Sequence, residues 1–557
     1  MVHRKKKQKK INKIFVIGVL IFFGGVGGTL LNYLFIETEE LSEIFPEDTA
    51  VFSEFSLNKD VAEKFTEITS VTDVNKVINQ VFGNKFDLNF EKDLKPWVGK
   101  KFGLAVLSKG EIVLAAQTKR RSKTEKFLNK FTVPGEKFII TEIEDNEIWT
   151  PAFSSNAAAG FRGKWVFISS SSSAINEIFI SEKKLESNEQ YRKIRLDTPR
   201  KSFFFSYADS AQFVDLFLSG DRFATQKPLF DAGAKTLSSI GFSADVDDKS
   251  ISVRSKILTA DGVFSEHEIK KAANSVMPRL AQFSPKDALF FMNGIDLYAK
   301  YAHTKEFLAQ FHPQFSVIFE GILRAWGREN FGDKFDFEKD FLAKMRGQYA
   351  VLVDFEDEAM PFLDFTLITG FGGVDIEKNL SDFHDAIHFA QSRFTTKVEE
   401  VELPDGTVRE ELVAVDESEI PINKIEFKGR DYFTVENSGS SNSKKLSYGF
   451  VENFLVFSTH ENGLKSVLSA QATPENALSQ NKDFRDSVLF RYSPSESYGF
   501  VNFAKLENAI NLISNAEIGE SGDFSITNLI RKNIRNATFA RKVFPGEIFF
   551  SATLFAR

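Results

Sequence analysis

From Ile14 to Ile36 no charged side chain interrupts the chain. As a helix this run would be ~34 Å long, enough to cross a ~30 Å hydrocarbon core with a little tilt. Arg4, Lys5, Lys6, Lys7, Lys9, Lys10 and Lys13 precede it; Glu37, Glu39, Glu40 and Glu43 follow it. Cations stay on the cytoplasmic side. The pattern therefore predicts a cytoplasmic basic tail over 1–13, a single-pass transmembrane signal anchor over 14–36, and the bulk of the chain outside the cell membrane. A cleaved signal peptide would carry a shorter apolar run and a small-x-small site, whereas this run ends in Tyr33-Leu34-Phe35-Ile36. Gly24 and Gly28 set a GxxxG spacing inside the span, which would let two copies approach as a homodimer.

Beyond the anchor the apolar period switches between two and three to four. Pro46 to Phe52 reads as a turn leading into a strand. Asn58 would cap a helix with apolar positions at Val61, Phe65, Ile68, Val71, Val74, Ile78 and Val81. Phe90-Glu91-Lys92-Asp93 follows, then strands over Phe102 to Leu107 and Ile112 to Thr118 and a short helix near Thr124 to Asn129. The second part of the chain repeats this order. Pro285 to Phe291 restates Pro46 to Phe52, and Phe337-Glu338-Lys339-Asp340 repeats Phe90 to Asp93 letter for letter. Gly347 to Leu352 parallels Gly99 to Leu107, with a small gap allowed. Phe454 to Ser458 parallels Trp165 to Ser169, each followed by a helix (Gly463 to Leu468; Ala174 to Phe179). Asn481 to Arg485 parallels Asn188 to Arg192, and Tyr498 to Asn502 parallels Phe203 to Tyr207. Amphipathic helices then carry Phe213, Leu216 and Phe217 in one part and Leu506, Ile510 and Ile513 in the other. Each part closes on a strand pair: Gly241 to Val246 with Ile251 to Leu258, and Ala537 to Val543 with Glu547 to Phe555.

So many matches in one order imply a tandem duplication, with ectodomain repeats at 44–264 and 283–557 joined by a helix over Glu266 to Arg279. The period far exceeds a solenoid repeat, so each copy is expected to have its own core. Extra length in the second copy is assigned to Gly370 to Asp375 and Lys397 to Asp431. Short turns at Ser108-Lys109-Gly110 and Asp247-Asp248-Lys249 call for antiparallel pairs. The predicted class is α+β: in each copy a mainly antiparallel sheet with helices packed on one face. The serine runs Ser169 to Ser173 and Ser438 to Ser443 read as turns or flexible loops.

Composition narrows the function. Net charge is −7, and seven of the 70 cationic residues precede the anchor, which leaves the rest at −14. Phosphate binding needs a basic face, so an acidic ectodomain argues against nucleic acid as a partner and none is expected. With no cysteine, disulfides, thiol catalysis and Cys-ligated metals are excluded as well. An exported domain of this kind must be held by packing, a role that suits 61 Phe against 10 Tyr and 4 Trp.

The anchor, the Pro-x-Asp-(Thr/Ala)-apolar strand that opens each part, and the later Trp165 to Ser169 and Phe454 to Ser458 strands together resemble a bacterial membrane-anchored family known as domain of unknown function 3352. The resemblance covers nearly the whole ectodomain. It implies an extracytoplasmic, membrane-tethered protein and carries over no catalytic residue.

The search for chemistry is thin. His384 and His388 stand at i and i+4, which puts both rings on one helix face and makes them the best metal candidates, with Asp382 and Asp385 as further ligands. A zincin needs HExxH, but here the run is His384-Asp385-Ala386-Ile387-His388, and two histidines on a polar face explain it as well. Asp245, Asp247 and Asp248 resemble a calcium loop without its glycine and distal glutamate, and a solvated turn accounts for them better. Gly370-Phe371-Gly372-Gly373 lacks the Lys-(Ser/Thr) of a P-loop, and Ser56 with Lys59 lacks a nucleophile context. The repeated Phe-Glu-Lys-Asp reads as the polar start of a short helix. No catalytic residue, cofactor or metal is assigned. The expected role is a non-enzymatic envelope scaffold or binding module that engages another envelope protein. The alternatives are a carrier holding a lipid or other apolar ligand between the two repeats and an envelope hydrolase using dispersed carboxylates.

Overall fold

The computed structural model describes residues 40–56, 64, 90–129, 136–152, 158–198, 202–218, 227–264, 279–311, 313–331, 336–356, 362–371, 381, 384–385, 396–404, 406–414, 422–436, 445–486, 496–506 and 533–556. The anchor at 14–36, Gly24, Gly28, the helix after Asn58, the joining helix and His388 lie outside the described residues. Among the described residues no helix is long and apolar enough to cross a membrane.

The architecture is α+β and mainly antiparallel. The first part contributes β1 (Val51–Ser56), β2 (Val98–Val106), β3 (Ile112–Thr118), β4 (Phe138–Ile143), β5 (Asn146–Pro151), β6 (Ala158–Arg162), β7 (Trp165–Ser169), β8 (Phe204–Asp209), β9 (Leu237–Asp247) and β10 (Ser250–Thr259). The second contributes β11 (Phe290–Ile295), β12 (Met345–Glu356), β13 (Phe362–Phe371), β14 (Thr396–Glu402), β15 (Val408–Ala414), β16 (Ile422–Phe427), β17 (Arg430–Glu436), β18 (Lys445–Val451), β19 (Phe454–Ser458), β20 (Ser497–Asn502), β21 (Ile534–Phe544) and β22 (Glu547–Ala556). Helices are α1 (Arg121–Leu128), α2 (Ser172–Ile180), α3 (Glu189–Leu196), α4 (Ser210–Phe217), α5 (Lys227–Thr236), α6 (Leu297–Phe311), α7 (Pro313–Phe331) and α8 (Glu461–Ala472), with shorter helical turns between.

The sheet has 20 strands. Its order, every neighbour antiparallel, is β4-β5-β6-β7-β3-β2-β1-β8-β9-β10-β22-β21-β20-β11-β12-β13-β19-β18-β17-β16. Read from either edge to the middle, the two parts run through corresponding strands in the same order. Among the described residues the β14–β15 hairpin, which falls almost wholly in the Lys397 to Asp431 insertion, has no counterpart in the first part.

Local chemistry is matched as well. Phe52 pairs with Ala105 on one side and Tyr207 on the other, as Phe291 does with Leu352 and Phe500. That register shifts one of the sequence pairings: Phe205, not Phe203, corresponds to Tyr498. The slip is two residues, so it leaves each side chain on its expected face. No gap is needed between the β2 and β12 segments. Both carry a bulge at the same place, between Val98 and Phe102 and between Met345 and Tyr349. The hairpin turns Glu144-Asp145 and Lys428-Gly429 take positive φ at both residues, as a two-residue hairpin requires. Phe90–Leu94 and Phe337–Phe341 both close as single π turns. Asn188 caps α3 through Tyr191 N at 3.0 Å and donates to Glu47 O at 3.1 Å. Asn481 caps its own helical turn at Asp483 N, 3.0 Å, and donates to Lys286 O at 3.2 Å.

Helices do not keep to one face. In β7, Val166 packs with Trp97 and with Phe127 and Leu128 of α1, while its neighbour Phe167 packs with Phe52 and Phe179 of α2. Successive strand residues point to opposite faces, so α1 and α2 cover opposite sides of the sheet. The serine run is also more ordered than its composition suggests: Ser171 Oγ caps α2 by accepting from Ser173 N at 3.2 Å and Ala174 N at 3.4 Å.

Candidate binding surface

The two parts meet edge to edge, with β10 and β22 paired from Ser250↔Phe555 to Leu258↔Glu547. Each part keeps a core of its own, around Phe52, Phe167 and Tyr207 in the first and around Phe291, Val456 and Tyr498 in the second. The core crosses the join too: Phe503, Ile534, Leu554 and Ala556 pack into the cluster around Phe55 and Phe102.

On one face of the join, Lys256 is buried at 6% exposure. Its Nζ donates to Lys193 O at 2.9 Å and Asp197 Oδ2 at 2.5 Å, meets Glu547 Oε1 of the second part at 3.0 Å, and lies 5.0 Å over the Phe549 ring. The opposite face is apolar. Ile240, Ile257, Ile548 and Val543 are aligned across β9, β10, β22 and β21. Ile257, Ile548 and Val543 are packed under Val263, Phe264 and Phe307 of α6. The next row, Phe242, Ser255 and Phe550, is open: Phe242 is 38% and Phe550 42% exposed, beside Ile240 at 37%. Phe213 of α4 is 40% exposed. Charge borders this shelf. Arg541, opposite Phe550, holds its guanidinium 5.8 Å over that ring and 3.8 Å from Glu496, which Lys300 of α6 also pairs. Beside it an open hollow of about 540 Å³ is lined by Asp231, Lys235, Thr236, Ala260 and Val263. Three half-exposed large apolar residues in adjacent rows, with a guanidinium over one of them, make a surface suited to an apolar or amphipathic molecule.

A second polar cluster sits at the start of α8. Asp364 Oδ1 accepts from Ser458 Oγ at 2.9 Å and Thr459 Oγ1 at 3.0 Å, and Ser458 and Thr366 hydroxyls lie 2.8 Å apart. His460 Nδ1 is 3.6 Å from Asp364. Burial pushes the Asp364 carboxyl above the ordinary aspartate range, against the pull of Ser458, Thr459 and His460. A Cβ on Gly463 would overlap Asp364, Ser458 and Thr366, so glycine lets the first turn of α8 close over this carboxylate. A cavity of about 190 Å³ adjoins it, reaching Asp354.

The sequence candidates lie elsewhere. His384 packs edge-on against Phe433 at 4.9 Å and Tyr448 at 5.5 Å. It is therefore not on a purely polar face, and its partner candidate His388 is outside the described residues. Among the described residues no three His, Asp or Glu side chains are grouped to hold a metal. Asp245, Asp247 and Asp248 belong to the β9–β10 hairpin, where burial raises the Asp245 carboxyl and Asp248 pairs with Lys64 at 2.7 Å. In the repeated Phe-Glu-Lys-Asp, Glu338 takes Tyr298 OH at 3.4 Å and Tyr301 OH at 3.2 Å and lies 3.6 Å from Lys305, which fastens the π turn to α6. Neither the open shelf nor the Asp364 cluster was legible in sequence, because both assemble residues from strands far apart in the chain.

No curated protein matches the chain. Among solved structures, crystal form I of TP0453 is 8% identical with a TM-score of 0.25, covering 42% of this chain and 83% of that one. Crystal form IV of TP0453 is 9% identical with a TM-score of 0.24, covering 40% and 81%. Likenesses this slight carry nothing over. The profile of the family described as "Protein of unknown function (DUF3352)" matches residues 14–529, and the chain belongs to that family.

Proposed function

We propose that this protein is a membrane-anchored extracytoplasmic binding module, built by tandem duplication, whose shelf at the join takes up an apolar or amphipathic ligand. The reading of a single-pass anchor rests on the charge-free run Ile14 to Ile36 behind its basic tail. The duplication is supported by the shared strand order, bulge position and asparagine caps. The observation that carries the binding role is the open Phe242–Ser255–Phe550 row, a water-exposed apolar stretch in the middle of the sheet. Binding requires no reacting group, which suits a site of aromatic rings bordered by Arg541 and Lys300. The test is native mass spectrometry of the full-length protein gently extracted from its own membrane. A retained mass of a few hundred daltons, lost in Phe242→Glu/Phe550→Glu, supports the ligand reading. A bare protein, or one bound only to another polypeptide, removes it and leaves the scaffold role.

A further inference from the structure

We infer that the first part of the chain lies directly on the bilayer, with the surface around Leu196 in contact with lipid headgroups. The inference rests on the anchor reading of residues 14–36. It begins where the chain enters the fold. Leu41, Ile44 and Phe45 are fully buried. Glu40 is fixed by a reciprocal cap with Glu43 and by Lys101 Nζ at 2.9 Å. Lys101 is in turn 3.5 Å from Glu54, a buried carboxylate of β1 that desolvation raises above the ordinary glutamate range. The chain is thus pinned at Glu40, four steps after Ile36. Those four steps reach at most about 14 Å even fully extended. The interfacial layer beyond the hydrocarbon core takes up roughly 5–8 Å of that. The protein surface around Glu40 therefore lies within about 10 Å of the outer headgroups.

α3 forms that surface. Its Tyr191 is hydrogen-bonded to Ser42, and burial pushes the tyrosine up to about 12. Its Arg195 guanidinium sits 4.5 Å over the Phe205 ring and acts electrostatically on Glu54, which places the end of α3 beside the Lys101–Glu40 pin. The next residue, Leu196, is 81% exposed, the most exposed of the large hydrophobic side chains among the described residues. Arg192 and Lys193 stand exposed on the preceding turn. Ile180, 48% exposed, ends α2 just before the segment that pairs Lys184 with Pro46. A bare leucine with cations beside it, held near the point where an apolar anchor leaves the bilayer, is matched by a lipid interface: the leucine enters the acyl boundary and the cations meet phosphate.

The chain has no cysteine, so Leu196→Cys gives a unique labelling site. The full-length variant is labelled with bimane and reconstituted in vesicles of phosphatidylcholine with a minority of phosphatidylglycerol and shallow doxyl lipid. Ile318→Cys, on α7, is the control. It is 54% exposed, on the side of the sheet that α6 covers, opposite α3. Quenching at 196, and at Ile180→Cys, should exceed that at 318 by about twofold or more. Equal, weak quenching at all three sites in protein that floats with the vesicles overturns the contact while leaving the anchor standing. Protein that does not float with the vesicles overturns the anchor and this inference with it.

Discussion

Lys256→Met tests whether the join is held by a buried charge. Methionine keeps an apolar stem of similar length and deletes the ammonium, which lies 5.0 Å over the Phe549 ring. The lysine side chain is 7% exposed, and its partners Glu547 and Asp197 are 28% and 50% exposed. Losing one partner of a fully buried pair costs about 3–5 kcal/mol, because the remaining charge is stranded. Here both carboxylates can regain water, so that figure is an upper bound. What is lost for certain is the charge-assisted hydrogen bond to Lys193 O at 2.9 Å and the contact across the join, together about 2 kcal/mol. The assay is urea unfolding of the full-length protein in mild detergent, followed by tryptophan fluorescence and far-UV circular dichroism. Three of the four tryptophans, Trp97, Trp149 and Trp165, are in the first part, whereas circular dichroism reads the whole sheet. A cycle with Glu547→Gln should give a coupling of about 1 kcal/mol across the join. A loss below about 0.5 kcal/mol, or a coupling of zero, refutes the assignment of Lys256 as the charged tie between the two parts.

Three further outcomes follow from single contacts. Gly241→Ala should cost about 1–3 kcal/mol in thermal unfolding, since the new Cβ would overlap Ile194 of α3 and force the helix off β9. Asn188→Ala and Asn481→Ala should each cost about 1–2 kcal/mol, because each asparagine both caps a helical turn and donates to the Pro46 or Pro285 loop; equal melting temperatures for variant and parent in either case would show that cap to be idle. For Asp364 the sign is set by its raised carboxyl. The native state binds the proton more tightly than the unfolded chain, so stability is greatest below the ordinary aspartate range and falls as pH rises through the raised value. Asp364→Asn should flatten that fall in a series of melts from about pH 4 upward, and a slope unchanged from the parent would remove Asp364 as its source.

The sequence by itself determined the elements whose apolar period is strong and local. β3 falls on Ile112–Thr118 as expected, and the β21–β22 and β9–β10 hairpins fall on their alternating runs. The repeated Pro-x-Asp, Phe-Glu-Lys-Asp and asparagine segments were visible because each is a local turn or cap that needs particular residue types. Weaker signals were missed: the β4–β5 hairpin has four exposed residues in the middle of β4, so its period is masked by surface composition. The tertiary structure alone decided how the parts meet. β10 and β22 are edge strands that no sequence pattern pairs with each other, and only their backbone hydrogen bonding turns two sheets into one. It also decided what stays open. Phe242 and Phe550 look in sequence like any of the 61 phenylalanines, and they are left half-exposed because no helix among the described residues closes over their row. The clustering of Asp364 with Ser458 and His460 has the same origin: it depends on β13 lying beside β19, a pairing across some ninety residues that sequence patterning does not encode.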